Sequence, residues 1–360
     1  MSNSNFIKSN DLIDFNQLSR EDWDSLYYLA SDIYAHPADY ADACKGKLLG
    51  TLFYEPSTRT QLSFQAAMLR LGGQVIGFSD PSRSSVSKGE TLADTIKIVS
   101  GYCDVIAMRT AVEGSALAAS LYSLCPIINA GDGGHFHPTQ TLTDLFTIRK
   151  LKGKTEGLSI GICGDLLNGR TVHSLAGALS GYHGNTIYLI STNELKIPVW
   201  SLKQLLDSGN RVIELSSLEE CLPELDVLYM TRIQRERFAS EAAYKEQASI
   251  YRLDTEKLKS AKKDLIIMHP LPKVDEITPD VDDDIRAVYF YQARLGMYIR
   301  MALIIKLTEK EYVPKSFTPH EDGHRCTNPK CVITSEPYLP SLIKTDGTAL
   351  SCAYCDKNVK

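Results

Sequence analysis

The feature that most constrains the fold is a regular alternation of β-prone and helix-prone segments, which begins near residue 45 and starts again after Lys154. Repeated strand–helix units predict a parallel sheet covered by helices. The predicted strands are Leu48–Tyr54, Gln74–Phe78, Asp104–Arg109 and Pro126–Ala130 in the first half, and Leu158–Cys163, Asn185–Ser191, Arg211–Leu215, Asp226–Met230 and Leu265–Met268 in the second. The sequence therefore predicts an α/β fold with two doubly wound parallel-sheet domains.

Helices are predicted between the strands, at Thr58–Leu71, Glu90–Gly101, Glu113–Leu121, Thr139–Leu151 and Thr171–Leu179. In the first of them Leu62, Ala66 and Leu69 share one face, which we expect to be packed. A long closing helix, Arg294–Thr308, is expected to pack back on the first domain. We place the first domain at residues 1–150 with 292–310, the second at 151–291, a linker at 311–325 and a small C-terminal module at 326–360.

Composition excludes several classes of protein. A formal net charge of −5 argues against a nucleic acid or a membrane surface as partner. No apolar run reaches the ~18 residues that a membrane-spanning helix needs. The N-terminal stretch is polar and lacks the apolar core of a signal peptide. We therefore expect a cytoplasmic globular protein.

Polar residues follow six of the predicted strands, at the point where each strand ends. Ligands of open α/β sheets bind beyond the carboxyl ends of the strands. The segments concerned are Glu55–Thr60, Arg109, Gly131–Pro138, Gly164–Arg170, Thr231–Gln234 and His269–Pro272. We expect these segments, which come from both domains, to converge on one cleft.

The run Glu55-Pro56-Ser57-Thr58-Arg59-Thr60 places three hydroxyls and a guanidinium in the first turn of a predicted helix. That end of a helix has unpaired N–H groups and the positive end of the helix dipole, so it attracts anions. Ser57, Thr58 and Thr60 add short donors, and Arg59 adds a planar fork that suits phosphate oxygens. The alternative is an ordinary Ser/Thr N-cap beside an exposed arginine. The other motifs favour the anion site.

Arg109 and His137 are further candidates for binding an anionic substrate. Arg109 ends an apolar strand, where its charge needs either an anionic ligand or an acidic neighbour. His137 opens a helix, so it is either a neutral imidazole that donates to a carbonyl oxygen or a capping histidine. His135 and His137 form an H-x-H pair, but no third ligand stands at a metal-binding spacing, so we predict no metal there.

Arg170 and Arg232 are predicted to bind carboxylates, because the guanidinium fork matches a carboxylate group. The second half contains no complete G-x-G-x-x-G loop, and the chain contains no G-x-x-x-x-G-K-[ST] loop. These are the usual signatures of dinucleotide and nucleoside-triphosphate sites. We therefore predict no organic cofactor.

Two further segments each allow two interpretations. Ser79–Lys88 is either a merely solvated loop or a mobile arm that brings Ser84 and Lys88 to an anion. His269-Pro270-Leu271-Pro272 follows a strand, and Pro272 is a candidate for a cis peptide bond that fixes the direction of nearby carbonyl groups. The alternative for this segment is a rigid loop with a trans bond.

The cysteines fall into two groups. Cys326-x4-Cys331 and Cys352-x2-Cys355 supply two pairs of thiols in the last 35 residues, a spacing typical of a structural tetrahedral Zn²⁺ site. Disulfides are the alternative, which a cytoplasmic setting disfavours, and spacing alone leaves copper, iron or cobalt open as the metal. We interpret the other five, which are Cys44, Cys103, Cys125, Cys163 and Cys221, as mostly buried, reduced thiols.

Taken together, the motifs resemble the catalytic chain of the aspartate carbamoyltransferase family. The resemblance is carried by FYEPSTRT, SKGETLADT, MR, HPTQTLTDLFTI, GRTVHSLA, VLYMTRIQ and HPLPKVDEI, in order over roughly residues 5 to 310. Related ornithine transcarbamylases read STRTR and HCLP, whereas this chain has Gln61 and Pro270 at those places. One small departure is Lys273, where an arginine is common.

The resemblance implies transfer of the carbamoyl group of carbamoyl phosphate to L-aspartate in pyrimidine synthesis. It implies that residues 1–150 bind carbamoyl phosphate and residues 151–291 bind aspartate. The implied catalytic residues are Arg59, Thr60, Arg109 and His137. Ser57, Thr58, Gln140, Pro270, Leu271 and Pro272 would complete the carbamoyl-phosphate site, and Lys88, Arg170, Arg232 and Gln234 the aspartate site.

The resemblance also implies a homo-oligomer, either a trimer or a dimer of trimers, in which Ser84 and Lys88 are lent by the neighbouring subunit. The C-terminal segment resembles the zinc domain of the family's regulatory chain, through CTNPKC, SEPY and LSCAYCDKNVK. We expect a fusion in which this module braces subunit contacts and in which ATP/CTP control is absent. Two rival hypotheses are a transcarbamylase for another amine and an inactive scaffold that docks a partner through its zinc module.

Overall fold

The computed structural model describes residues 11–233, 240, 244, 251–314, 324–346 and 349–359. The chain divides into two compact units. Unit 1 comprises Met1–Thr139 and Met297–Lys360, and unit 2 comprises Gln140–Gly296. Each unit contains one parallel sheet, so the predicted α/β fold class is confirmed.

The helices of the described residues are α1 (Arg20–Ala35), α2 (Thr58–Arg70), α3 (Leu92–Ser100), α4 (Ser115–Ser120), α5 (Pro138–Lys152), α6 (Arg170–Leu179), α7 (Val199–Asp207), α8 (Tyr289–Thr308) and α9 (Val332–Ser335). The strands are β1 (Leu48–Phe53), β2 (Gln74–Phe78), β3 (Val105–Thr110), β4 (Ile127–Asp132), β5 (Ser159–Cys163), β6 (Thr186–Ile190), β7 (Arg211–Leu215), β8 (Val227–Met230), β9 (Ile266–Met268), β10 (Ile343–Asp346) and β11 (Ala349–Cys352).

The sheet of unit 1 is parallel, with strand order β2-β1-β3-β4. The register of β1 and β3 sets Leu52 opposite Met108 and Phe53 opposite Arg109. All side chains of β3 are buried, whereas β2 is an edge strand with exposed residues. The chain changes direction across the sheet between β1 and β3. Ligands of open α/β sheets bind beyond the carboxyl ends of the strands at such a point.

The sheet of unit 2 is also parallel, with order β7-β6-β5-β8-β9. Its change of direction lies between β5 and β8, which pair through Ile162 and Tyr229. The polar segments Gly164–Arg170 and Thr231–Arg232 begin where these two strands end. The expected ligand-binding edge of this unit is therefore the edge that carries Arg170 and Arg232.

The C-terminal segment belongs to unit 1. It contains the short helix α9 and the antiparallel hairpin β10–β11. Its buried apolar residues, among them Val332, Ile333 and Tyr354, are in the same hydrophobic cluster as Ala116 and Ala118 of α4. Residues 324–346 and 349–359, hereafter the cysteine module, therefore share a core with the first sheet.

Every predicted strand occurs within two residues of its predicted bounds, as do the five predicted inter-strand helices. The closing helix begins at Tyr289 instead of Arg294, and the predictions did not include α1 or α7.

The expectation that Leu62, Ala66 and Leu69 form the packed face of α2 was wrong. Leu62 and Leu69 are 58% and 60% exposed, and Phe64 and Met68 are buried in their place. Among the described residues, no helix is both long and apolar enough to cross a membrane.

Candidate active site and cysteine cluster

The first turn of α2 carries the predicted anion-binding motif. Ser57 occupies the N-cap position, but its side chain caps none of the first amide groups of the helix. Gln61 N–H donates to the carbonyl of Ser57 at 3.0 Å, as the first bond within the helix. Thr60 is buried, and Thr58 and Arg59 are exposed. This arrangement differs from an ordinary serine N-cap and fits an anion site.

Arg109 is a buried cation with an acidic neighbour. Its Nε lies 3.1 Å from Oε2 of Glu55, which follows β1. Its Nη1 donates to the carbonyl of Ala130 in β4 at 3.4 Å. The sequence offered an acid or an anionic ligand as the partner of this charge, and Glu55 is an acidic neighbour of the kind expected. Glu55 belongs to the anion motif, so the guanidinium is held close to that motif.

His137 and Arg109 flank the same glycine. A Cβ atom built on Gly131, which has φ of 121°, would lie 3.0 Å from Nη1 of Arg109 and 3.6 Å from Cδ2 of His137. A side chain at this position would therefore crowd Arg109 and contact His137, so both groups lie against Gly131. The Nδ1 atom of buried His137 lies 3.4 Å from the hydroxyl of Thr139. In the tautomer with its proton on Nε2, Nδ1 accepts from the Thr139 hydroxyl and Nε2–H is a donor.

Ser84 and Lys88 lie in the loop between β2 and α3. The hydroxyl of Ser84 donates to the carbonyl of Pro81 at 2.8 Å and accepts from Val86 N–H at 3.3 Å. Lys88 is exposed. Within its own chain, Ser84 therefore shapes the loop, and Lys88 is exposed to solvent.

In unit 2 the segment after β9 forms a fixed turn. The peptide bond between Leu271 and Pro272 is cis, and Leu271 has φ of 56°. Leu271 N–H donates to Nδ1 of His269 at 2.7 Å, and Nε2 of His269 lies 2.8 Å from Oε1 of Glu276. Burial raises the pKa of Glu276, but the hydrogen bond and charge of His269, together with backbone hydrogen bonds from Glu276 and Val274, outweigh burial and lower that pKa. The imidazole thus orients the turn that carries Pro270.

Gln140 is oriented by a buried acid on its own helix. The Nε2 atom of Gln140 donates to Oδ1 of Asp144 at 2.7 Å. Gln292 Nε2 donates to the same oxygen at 2.7 Å, and Tyr229 OH donates to Oδ2 at 2.9 Å. Gln292 Oε1 in turn accepts from His269 N–H. Asp144 therefore connects Gln140 to the turn after β9.

Arg170 begins α6, after the segment that follows β5, and Arg232 follows β8; β5 and β8 are neighbours in the sheet of unit 2. Both side chains are half-buried. Two arginines in segments that follow adjacent strands suit a ligand with two carboxylates. Gln234, predicted to join them, lies outside the described residues.

The four thiols of the cysteine module form a compact group. The Sγ atoms of Cys326, Cys331, Cys352 and Cys355 all lie within 4.8 Å of one another. Two of the distances are 3.6 Å, from Cys326 to Cys355, and 3.8 Å, from Cys331 to Cys352. Four sulfurs bound to Zn²⁺ at ~2.3 Å in a tetrahedron stand ~3.8 Å apart, whereas a disulfide needs ~2.0 Å. The thiols fit a tetrahedral metal site.

Hydrogen bonds within the group favour a thiolate. Bonds from Cys331 and Cys352 lower the pKa of Cys355. Asn328 N–H also donates to the sulfur of Cys326 at 3.5 Å.

In the part of the chain that the structure describes, this is the one cluster of three or more candidate metal ligands, and it includes neither His135 nor His137. The five other cysteines are free and buried, as predicted.

The structure thus gathers the predicted residues in two sets. Unit 1 places the anion motif, Arg109 and His137 at the ends of the neighbouring strands β1, β3 and β4. Unit 2 places Gln140, Pro270–Pro272, Arg170 and Arg232 at the starts of helices or just beyond strands.

Sequence reasoning missed the partners of these residues, namely Glu55 as an ion-pair partner, His135, Asp144 and Glu276. Glu55, Asp144 and Glu276 stand inside quoted motifs, which was the available signal.

Both halves of the chain match family models. Residues 10–150 match the carbamoyl-P binding domain of aspartate/ornithine carbamoyltransferase, and residues 156–307 match its Asp/Orn binding domain. The cysteine module lies beyond both matches.

Individual relatives agree with the family models. The aspartate carbamoyltransferase catalytic subunit of Clostridium perfringens strain ATCC 13124 is 57% identical over 302 residues, which cover 84% of this chain and 98% of the relative. The corresponding subunit of Clostridium acetobutylicum is 56% identical over 302 residues, with the same coverage of 84% and 98%.

Solved structures are similar as well. The catalytic subunit of M. jannaschii aspartate transcarbamoylase, in an orthorhombic crystal form, matches with a TM-score of 0.80 and 45% identity, covering 83% of this chain and 98% of that one. Aspartate transcarbamoylase from Trypanosoma cruzi, in complex with carbamoyl phosphate and aspartate, matches with a TM-score of 0.78 and 38% identity, covering 83% and 97%.

Proposed function

The chain belongs to the aspartate/ornithine carbamoyltransferase family, and from this premise we propose that it transfers the carbamoyl group of carbamoyl phosphate to the amine of L-aspartate. The products are N-carbamoyl-L-aspartate and phosphate, in an early step of pyrimidine synthesis. The relatives named above are aspartate carbamoyltransferases, and one of the similar structures holds both carbamoyl phosphate and aspartate.

The observation that carries the proposal is the approach of Arg109 and His137 to the same glycine, Gly131, at the carboxyl ends of β3 and β4. A buried guanidinium and a buried imidazole at one point can both donate to a single oxygen atom. A carbonyl oxygen that becomes negative during acyl transfer needs such donors. The neighbouring α2 terminus supplies the site for the phosphate that leaves.

In the proposed reaction the amine nitrogen of aspartate attacks the carbonyl carbon of carbamoyl phosphate. A C–N bond forms, the C–O bond to phosphate breaks, and the electron pair leaves on the phosphate oxygen, which takes the proton that the amine loses. Arg109, His137 and Thr60 donate to the carbonyl oxygen of the tetrahedral intermediate. Each such donor typically contributes ~10²–10³ in rate.

The other residues of the carbamoyl-phosphate site bind and orient the donor substrate. Ser57, Thr58 and Arg59 bind the phosphate oxygens at the N-terminus of α2. Gln140 presents Oε1 to the carbamoyl amino group, because its Nε2 is already bonded to Asp144. The carbonyl groups of Pro270 and Leu271 accept from the same amino group, and the hydrogen bond from Leu271 N–H to His269 holds their turn.

Arg170, Arg232 and Gln234 would bind the two carboxylates of aspartate, together with Lys88. This is the basis for choosing aspartate over a cationic amine, since two half-buried guanidinium groups would repel the side chain of ornithine. Gln61 and Pro270, which differ from the ornithine-specific pattern, favour the same choice. Holding both reactants in position lowers the entropic barrier by several kcal/mol, up to ~7–11 in ideal cases.

We propose a homotrimer, or a dimer of trimers, in which Ser84 and Lys88 complete the site of the neighbouring subunit. The exposure of Lys88 supports this role. So does the apolar surface of α2 and β2, where Leu62, Leu69 and Ile76 are 58%, 60% and 40% exposed. Large exposed apolar side chains on neighbouring elements are typical of a contact with another protein surface.

We propose that the protein works in the cytoplasm. We also propose that one structural Zn²⁺ is bound by Cys326, Cys331, Cys352 and Cys355. All four ligand positions would be filled by thiolates, so the ion would stabilise the module without a vacant position for substrate. A module of this size has little apolar core of its own, so the ion would add to the stability that the module gains by packing within unit 1. The sulfur–sulfur distances support the assignment.

The test is a carbamoyl-transfer assay with purified full-length protein, carbamoyl phosphate, and either L-aspartate or L-ornithine as acceptor. We expect N-carbamoyl-L-aspartate to form, and transfer to ornithine to be at least ~100-fold slower. Arg59→Ala, which removes the phosphate fork at an exposed position, is the matched inactive control. Turnover with ornithine alone would show another acceptor. No turnover by folded, zinc-loaded protein with either amine would favour the scaffold hypothesis.

A further inference from the structure

His135 lies in the loop between β4 and α5, two residues before His137, and it contacts the cysteine module. Its Nδ1 lies 3.2 Å from Oδ2 of Asp132, and its Nε2 lies 3.0 Å from Oδ2 of Asp356. We propose that His135 is a positioning residue that fixes the loop carrying His137 to the cysteine module, so that catalytic geometry depends on that module. The proposal rests on the proposed function where it concerns His137.

Asp132 is the anchor on the sheet side of this contact. It is buried at the end of β4, and its Oδ1 accepts from Asn129 Nδ2 at 3.1 Å and from Phe136 N–H at 2.9 Å. Its Oδ2 accepts from Gly114 N–H at 2.8 Å as well as facing His135. Asp132 therefore ties the strand, the start of α4 and the loop together. A shift of His135 would disturb the residue that immediately precedes His137.

Asp356 is the anchor on the module side. It directly follows Cys355, has φ of 57°, and its N–H donates to the carbonyl of Cys352 at 2.9 Å. Its Oδ1 accepts from Lys344 Nζ at 2.7 Å, which leaves Oδ2 for His135. The direction of this carboxylate is thus set by the tight turn that also carries two of the four thiols. Loosening that turn would release His135.

The charges of His135, Asp132 and Asp356 favour a stable contact between the loop and the cysteine module. Burial by itself lowers the pKa of His135, but Asp132 and Asp356 outweigh it and raise that pKa to about 10. The imidazole is therefore a cation at neutral pH and donates from both nitrogens to the two carboxylates. A histidine that bridges two elements in this way holds them more firmly than a neutral hydrogen bond would.

The module also holds the end of the loop that contains Ser84 and Lys88. The first two N–H groups of α3 are capped from the module: Leu92 N–H lies 3.4 Å from Oε1 of Glu336, and Ala93 N–H donates to Tyr338 OH at 3.0 Å. Thr91 caps the next free group, Asp94 N–H, at 3.1 Å. The cysteine module therefore restrains both loops that the proposed reaction needs.

The experiment compares His135→Gln and Asp356→Asn, singly and together, in the full-length zinc-loaded protein. We expect kcat to fall by about 10–100-fold in each single variant, because His137 moves out of alignment. The inhibition constant of inorganic phosphate reports binding at the α2 terminus alone, and it should change less than threefold. The double variant should be no slower than the slower single one, because the two residues make one contact. His183→Gln, on an exposed histidine of unit 2, is the matched control.

A second readout does not depend on activity. Hydrogen exchange in peptides covering residues 132–137 should be at least about fivefold faster in both single variants, and unchanged in peptides from unit 2. This result would stand even if the chain proved to use another acceptor. Exchange and kcat within twofold of the unaltered protein in His135→Gln would overturn the proposal. So would a kcat loss accompanied by equally faster exchange throughout unit 1, which indicates general destabilisation.

Discussion

Arg109 and Glu55 form an ion pair in which Nε and Oε2 are 3.1 Å apart, and it joins β3 to the segment after β1. The arginine side chain is 10% exposed and the glutamate side chain 33% exposed. The glutamate thus keeps a nearly buried cation in place before any substrate arrives. The cation needs this partner, because an unpaired buried charge is costly.

The Glu55→Gln variant should lower the free energy of unfolding by about 1–2 kcal/mol, between the values for exposed and buried pairs. Inorganic phosphate should restore part of the loss, because an anion that binds the folded protein at the α2 terminus stabilises the folded state. Urea unfolding with and without phosphate measures both effects. Glu220→Gln, at an exposed position, is the control and should change stability by less than ~0.5 kcal/mol. An unchanged midpoint for Glu55→Gln would contradict the assigned role.

The His137→Ala variant should lower kcat for aspartate carbamoylation by ~10²–10³, because it removes a donor to the developing negative oxygen. The inhibition constant of inorganic phosphate should stay nearly constant, since the phosphate lies at the α2 terminus. Steady-state kinetics with phosphate as inhibitor separates the two. A large loss of phosphate binding with little loss of kcat would reverse the roles assigned to His137 and the helix terminus.

The Asp144→Asn variant should lower the free energy of unfolding by about 1–3 kcal/mol, because an amide cannot accept all three hydrogen bonds that the carboxylate accepts. It should also raise KM for carbamoyl phosphate, since Gln140 loses the contact that aims its Oε1 at the substrate. The Asn210→Ala variant, which removes several hydrogen bonds just before β7, serves as the comparison for stability alone. A stability loss with an unaltered KM would show that Asp144 supports the fold only.

The contribution of His135 to stability should depend on pH in a defined direction. The charged groups around its loop are Asp14, Glu113, Asp132, Lys344 and Asp356. The pKa of His135 is raised from 6.5 to about 10, so its stabilisation is fully present below pH 6.5 and is lost as pH rises through 10. The difference in unfolding free energy between the unaltered protein and His135→Gln should therefore shrink from pH 6 to pH 10. A difference that grows over this range would refute the cationic bridge.

Metal removal should destabilise unit 1 first, because the cysteine module shares its core. Elemental analysis should give about one zinc per chain, and a chelator should lower the melting temperature by several degrees. Hydrogen exchange should rise at the start of α3 and in residues 132–137 before it rises in unit 2. Cys221→Ser, at a buried thiol of unit 2, controls for the general loss of a cysteine. Metal-free protein with unchanged exchange would exclude the zinc assignment.

The strand bounds and the parallel sheets were largely predictable, because alternating strands and helices leave few ways to build a sheet. Helix α1 was also predictable in principle. Ser19 and Asp22 form a capping box, and Trp23, Leu26 and Ala30 recur at helical spacing on its buried face. The sequence contained that signal, and the predictions did not use it.

The partners of the site residues were not predictable in the same way. Glu55 meets Arg109 only because β1 and β3 pair in the register that places Phe53 opposite Arg109. His135 meets Asp356 across 221 residues, a contact that no local periodicity encodes. Residue types at strand ends indicate which groups bind a ligand. Pairing between distant groups depends on tertiary packing.

The shared core of the cysteine module and α4 has a consequence for how the protein responds to dilution. A separate zinc-bearing subunit would leave its partner when the concentration falls below the dissociation constant. Here the module is on the same chain and packs Val332 and Tyr354 against the sheet of that chain. Its local concentration is therefore set by chain length and not by the number of molecules per volume. Each copy should keep one module at nanomolar and micromolar protein alike, with fixed one-to-one stoichiometry.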